Sequence, residues 1–144
     1  MQLLQIDVSG CRLVGATTPL LGMDGPKHHA LVLGKGAVDG EIYIAELMAY
    51  GYQIATYKDF YRRYAANGQI HLFRNPGPDS DAQVVQRAID ELRQGGMAYD
   101  LIINNCESFV NRVTHGDSSS SQVVNTVLGM VALAGMYYVI KNSK

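Results

Sequence analysis

The residues best suited to chemistry lie in Tyr99-Asp100-Leu101-Ile102-Ile103-Asn104-Asn105-Cys106-Glu107-Ser108-Phe109-Val110. An apolar run ends in two asparagines, and Cys106 follows at the start of a short amphipathic helix. A helix N-terminus carries partial positive charge and unpaired N–H groups, which favour a thiolate over a thiol. The N–H of Cys106, with Asn105 in support, can also hold an oxyanion in front of the sulfur. The chemistry this spacing implies is attack by a thiol on an ester or amide carbonyl.

Such a thiol needs a base within hydrogen-bond reach, and the base needs an orienting group. His28 to Leu33 (HHALVL) and Glu41 to Met48 (EIYIAELM) read as neighbouring antiparallel strands. With Leu33 paired to Glu41, His28 falls directly opposite Glu46, their Cβ atoms about 5 Å apart. His28, Ala30 and Val32 then share an apolar face with Ile42, Ile44 and Glu46, where a carboxylate needs a partner. A slip of one residue would break the pairing. His29 points to the opposite face and competes for the role of base. His71, in a strand beside Leu72 and Phe73, could orient or replace either one. His115 sits at a helix end, where a cation suits the dipole. Each of these histidines has a bland alternative as a satisfied structural group. Cys11 reads as a small buried hydrophobe in a strand.

The elements that must position these groups follow from pattern. Residues 2–8 and 11–16 read as two strands joined by a turn at Ser9-Gly10, and 17–27 as a Pro- and Gly-marked loop. Gly34 to Gly40 lacks the Gly-Lys-Ser/Thr ending of a phosphate loop and reads as a wide hairpin loop. Thr56 to Asn67 reads as a helix, opened by Thr56 with Asp59 and stopped at Gly68. Its Tyr57, Phe60, Tyr61 and Tyr64 form a stripe best explained by core packing. Gln69 to Arg74 reads as a strand. Asp79 to Gln94 is a helix with Val84, Val85, Ala88, Ile89 and Leu92 on one face. Leu101 to Ile103 is a brief extended run, and a helix follows Cys106 to about Val113. A polar link leads to an apolar segment, residues 123–140.

Composition bounds the rest. At 144 residues, 47% of them apolar, the chain can bury the core of one globular domain. A net charge of −1 without a basic block excludes nucleic acid as the main partner. Two cysteines make no disulfide framework, and no Cys/His spacing suits zinc, so neither metal nor other cofactor is expected. The N-terminus lacks the pattern of a secretory leader, and a working thiol fits a reducing, cytoplasmic compartment.

Asn105-Cys106-Glu107-Ser108-Phe109-Val110 resembles the Asn-Cys-Glu-His-Phe-Val signature of the lecithin retinol acyltransferase-like proteins, and Tyr99, Leu101, Asn111 and Gly116 suit its flanks. His28-His29-Ala30-Leu31-Val32-Leu33-Gly34 resembles the His-Trp-Ala-Ile-Tyr-Val-Gly strand of the same family. The histidine precedes the cysteine, which is the family's circularly permuted order. The likeness covers roughly residues 10–116. It implies an α+β, permuted papain-like (NlpC-like) fold: an antiparallel sheet packed with helices, plus a C-terminal apolar helix. It further implies a catalytic domain over 1–116, a polar linker at 117–122 and an apolar helix at 123–144. By the resemblance Cys106 is the nucleophile and His28 its base, and Glu46 takes the place of the family's third polar residue, a histidine. Ser108 and His29 also depart from the pattern, which puts the substrate preference in doubt more than the chemistry. The implied activity is transfer or hydrolysis of phospholipid acyl chains through a thioester on Cys106. The implied partner is a lipid or another acyl-bearing small molecule. A cysteine peptidase or amidase, and an idle membrane or partner adaptor, are the rival readings. Eighteen helical residues, 123–140, span about 27 Å, just enough for a bilayer core. An interfacial helix, a small-residue packing helix or a buried core helix is equally open for that segment.

Overall fold

The computed structural model describes residues 2–19, 26–95 and 105–116. Those residues form an α+β structure in the order β1 (Leu3–Leu4), β2 (Arg12–Ala16), β3 (Lys27–Gly36), β4 (Ile42–Met48), β5 (Gly51–Thr56), α1 (Tyr57–Tyr64), β6 (His71–Phe73), α2 (Asp81–Gln94) and α3 (Cys106–His115). One 3-10 turn, Ala65–Asn67, extends α1. The sheet runs β5-β4-β3-β2-β6, with β1 added to the far end of β3, and every pairing is antiparallel.

The helices start where their sequences supply caps. Thr56 accepts from Asp59 N, Ser80 from Gln83 N and Asn105 from Ser108 N, and each N3 side chain reaches back to its cap. Each such box satisfies donors that a helix start leaves unpaired, worth about 1 kcal/mol.

Alternation along β3 and β4 divides the core into two layers. Leu31, Leu33, Ala45 and Leu47 pack against Val84 and Ala88 of α2 and Phe109, Val110 and Val113 of α3. On the other face Cys11, Leu13, Ala30, Val32 and Ile44 pack against Phe60 of α1. Each fully buried large side chain contributes about 1.5–3 kcal/mol. The α1 stripe splits. Phe60 is buried and Tyr64 half-buried, whereas Tyr57 and Tyr61 face outward, so core packing explains only half of it.

Three expectations are corrected. Residues 2–8 are not a strand of the β2 hairpin. Ser9 accepts from Ile6 N and turns the chain at Asp7–Gly10, so only Leu3–Leu4 remains extended, and it pairs with β3 because β2 already lies between β3 and β6. There a Cβ on Gly34 would lie 2.5 Å from the Leu4 carbonyl oxygen, so only glycine lets the two backbones meet. The β3–β4 loop is tight rather than wide. Gly36 donates to the Glu41 carbonyl, and the register shifts between Val32 and Gly34. Consequently Glu46 lies opposite Ala30, not His28. Beyond these, one strand carried no expectation: Gly51, Gln53 and Thr56 conceal β5 from pattern reading, and it is held by continuous pairing to β4.

Among the described residues no helix is long and apolar enough to cross a membrane. The apolar segment 123–140, the linker at 117–122 and the extended run 101–103 lie outside the described residues.

Candidate active site

Cys106 is the first residue of α3, and the local sequence holds it there. Asn105 Oδ1 accepts from Ser108 N at 2.9 Å, and Ser108 Oγ accepts from Asn105 N at 2.8 Å. Ser108 is therefore part of the helix start, and Asn105 Oδ1 is occupied in capping. Cys106 is nearly buried, its sulfur 3.9 Å from the Lys27 carbonyl oxygen and near enough to the His28 ring to raise the pKa of the imidazole. Helix α3 covers one face of the sheet and His28 issues from the other, so thiol and imidazole meet at the end where β3 begins.

His28 is 6% exposed and walled by aromatic rings, Phe60 at 5.8 Å and Tyr64 at 5.3 Å between centroids. Its β2 neighbour is Gly15, where a Cβ would lie 2.9 Å from both Phe60 and Tyr64. A side chain there would push α1 off the sheet. Imidazole Nε2 and Glu46 Oε1 are 2.9 Å apart. Glu46 is diagonal to His28 rather than opposite it, and its longer side chain closes the gap. Side chains two residues apart on a strand share a face, so an offset of two leaves the pair intact.

Glu46 is wholly buried, yet both of its oxygens are engaged. Oε1 accepts from Arg63 Nη2 at 2.8 Å as well as from His28, and Oε2 accepts from Arg63 Nη2 at 2.8 Å and Gln53 Nε2 at 2.7 Å. Arg63 also lies over the Phe60 and Tyr64 rings. Burial pushes the Glu46 carboxyl up, but the bonds from His28, Gln53 and Arg63 outweigh it and hold the pKa below the ordinary 4.5. Burial likewise pushes His28 down, while its contacts with Cys106 and Glu46 prevail and raise it above 6.5. The arrangement can therefore accept a proton from the sulfur and hold the resulting imidazolium against a fixed carboxylate.

The other histidines are placed elsewhere. His29 faces the α3 layer, its Nδ1 3.3 Å from Arg12 Nη1. Burial, Arg12 and His28 push its pKa down to about 4, so it is neutral near pH 7. His71 is exposed on the edge strand, stacked on Phe73. His115 ends α3. Cys11 is a buried free thiol whose pKa burial raises, as a small hydrophobe in the core should be. Among the described residues no group of His, Cys, Asp or Glu side chains could hold a metal ion.

Sequence reasoning missed Arg63 and Gln53. Gln53 rides on the unrecognised β5, as the cross-strand neighbour of Glu46. Arg63 had one available signal: a buried carboxylate calls for a cation, and α1 carries two arginines in its last turn.

With this geometry in hand, comparison with known families matches residues 24–119 to the lecithin retinol acyltransferase family. The chain belongs to that family. The matched span contains His28, Glu46, Arg63 and Cys106 together, and membership points to acyl-transfer or acyl-hydrolase activity in general. No curated protein and no solved structure matches the chain.

Proposed function

We propose that the protein is a thiol acyltransferase or acyl hydrolase acting on phospholipid acyl chains, within a permuted papain-like domain over residues 1–116. The observation that carries this reading is the buried line Cys106–His28–Glu46, with Arg63 behind it. His28 takes the Cys106 proton, and the sulfur adds to the ester carbonyl carbon while the carbonyl electron pair moves to oxygen. The first-turn N–H of Cys106 faces that oxyanion, at a helix start kept in shape by Asn105. Collapse of the tetrahedral adduct breaks the ester C–O bond, and the leaving alkoxide takes the proton from His28. Water or an amine then gives a proton to His28 and attacks the thioester, and the sulfur leaves as thiolate and recovers that proton.

Residues 117–122 serve as a linker and 123–144 as an apolar helix that brings the domain to a membrane surface from a reducing cytoplasm. A cysteine peptidase would use the same dyad, so paired assays on phospholipid and peptide substrates separate the two. Cys106→Ser is expected to abolish release of fatty acid from phospholipid and to remove the iodoacetamide-labelled peptide. His28→Gln is expected to slow release by about a hundredfold or more. Full turnover by Cys106→Ser would refute the mechanism, and retained lipid binding without turnover in the unmodified protein would favour the adaptor reading.

A further inference from the structure

A second site lies on the α3 face of the sheet, between β2, β6 and the end of α3. It is a cavity of about 530 Å³ that none of Cys106, His28 and Glu46 lines. Arg12, Arg74 and His29 line it, and none of its described lining residues is a carboxylate. Val14, Phe73 and Pro76 give it an apolar wall. Arg12 is half-buried, and among the described residues its guanidinium hydrogen-bonds only to neutral partners, His29 Nδ1 and Asn111 Oδ1. Glu107 acts on it through space, and no ion pair joins Arg12 to a carboxylate among the described residues. A partly desolvated cation whose hydrogen bonds go to neutral acceptors, with Glu107 acting only through space, is costly, and an anion in the cavity would relieve it. Guanidinium only donates, so His29 Nδ1 must accept, which leaves Nε2–H as a further donor. Arg74 is exposed at the rim.

We propose that this cavity binds a phosphate ester bearing an apolar chain, with the phosphate on Arg12 and Arg74 and the chain along Val14, Phe73 and Pro76. A planar fork of donors suits phosphate oxygens, and the wall suits alkyl groups. Arg12 also lies within electrostatic reach of Cys106, so the bound phosphate would sit on the thiol's side of the sheet.

The test uses the full chain and a short-chain diether phosphatidylcholine, kept monomeric, whose ether bonds no thiol can cleave. Calorimetric titration should show saturable one-to-one binding. The matching dialkylglycerol, which lacks phosphate, should bind at least about tenfold more weakly, and Arg12→Gln and Arg74→Gln should each weaken the phospholipid about tenfold. Inorganic phosphate should compete, but less tightly than the lipid. Equal affinity for the dialkylglycerol, or unchanged affinity in both arginine variants, would overturn the proposal. So would inorganic phosphate binding as tightly as the lipid, because the apolar wall would then take no part. If Arg12→Gln does not fold, Arg12→Lys, which keeps charge but loses the fork, and the exposed Arg74→Gln carry the test. Because the probe is not cleaved, an unreactive Cys106 would sink the catalytic reading and leave this binding result standing.

Discussion

Replacing Glu46 by glutamine removes one charge from the most enclosed polar group next to the thiol. Glu46 is the common acceptor for His28, Gln53 and both contacts of Arg63 Nη2, all at 2.7–2.9 Å. The amide of glutamine keeps one acceptor and turns the other into a donor facing donors. Breaking a buried ion pair costs about 3–5 kcal/mol. Arg63 keeps 29% of its side-chain exposure, so water shares the burden and the lower end, about 3 kcal/mol, applies. For a domain of this size that is a fall in Tm of about 10 °C. The pH dependence has a definite sign. His28 is raised, so its contribution is complete below 6.5 and is lost as pH rises through its folded value. Glu46 is lowered, so its contribution is complete above 4.5 and is lost as pH falls through its folded value. The deficit of Glu46→Gln against the unmodified protein should therefore be widest between pH 4.5 and 6.5. Melts across that range measure it, and iodoacetamide labelling mapped to each cysteine follows the site, with buried Cys11 as internal control. Loss of a charged hydrogen bond to His28 should slow Cys106 labelling near neutral pH by about tenfold. Adding Arg63→Met should restore part of the lost stability, since both ends of the pair are then gone. A melting point within about 2 °C of the parent, with unchanged labelling, would refute the electrostatic account.

His29→Gln should leave Cys106 labelling at pH 7 unchanged, because His29 is neutral there and faces the other layer; collapse of labelling would make His29 the base. As pH falls from 6.5 toward about 4, the unfolded chain takes up a proton that folded His29 refuses, so the parent loses stability that His29→Gln keeps. Gly15→Ala puts a Cβ 2.9 Å from Phe60 and Tyr64. Urea unfolding should show a cost of about 1–3 kcal/mol, and an unchanged midpoint would mean that α1 is not seated as described.

Much of the site was legible in the sequence. The apolar run ending in two asparagines put Cys106 in a first turn before any contact was known, and the structure adds that Asn105 and Ser108 cap that turn. Strand alternation put His28 and Glu46 on one face even though the assumed register was two residues out, because an even offset preserves the face. The rest needed tertiary structure. Arg63 and Gln53 come from elements whose own patterns say nothing of a carboxylate; they converge because α1 folds over the β3–β4–β5 face and β5 pairs with β4. The silence of His29 depends on burial beside Arg12, which no local pattern encodes. Above all, His28 and Cys106 belong to opposite layers of the sheet, and only the docking of α3 brings sulfur to imidazole at the start of β3. Local sequence fixes caps, periodicity and faces because these depend on neighbours along the chain. Which faces meet, and which charges are left to neutralise one another, depends on how the layers close.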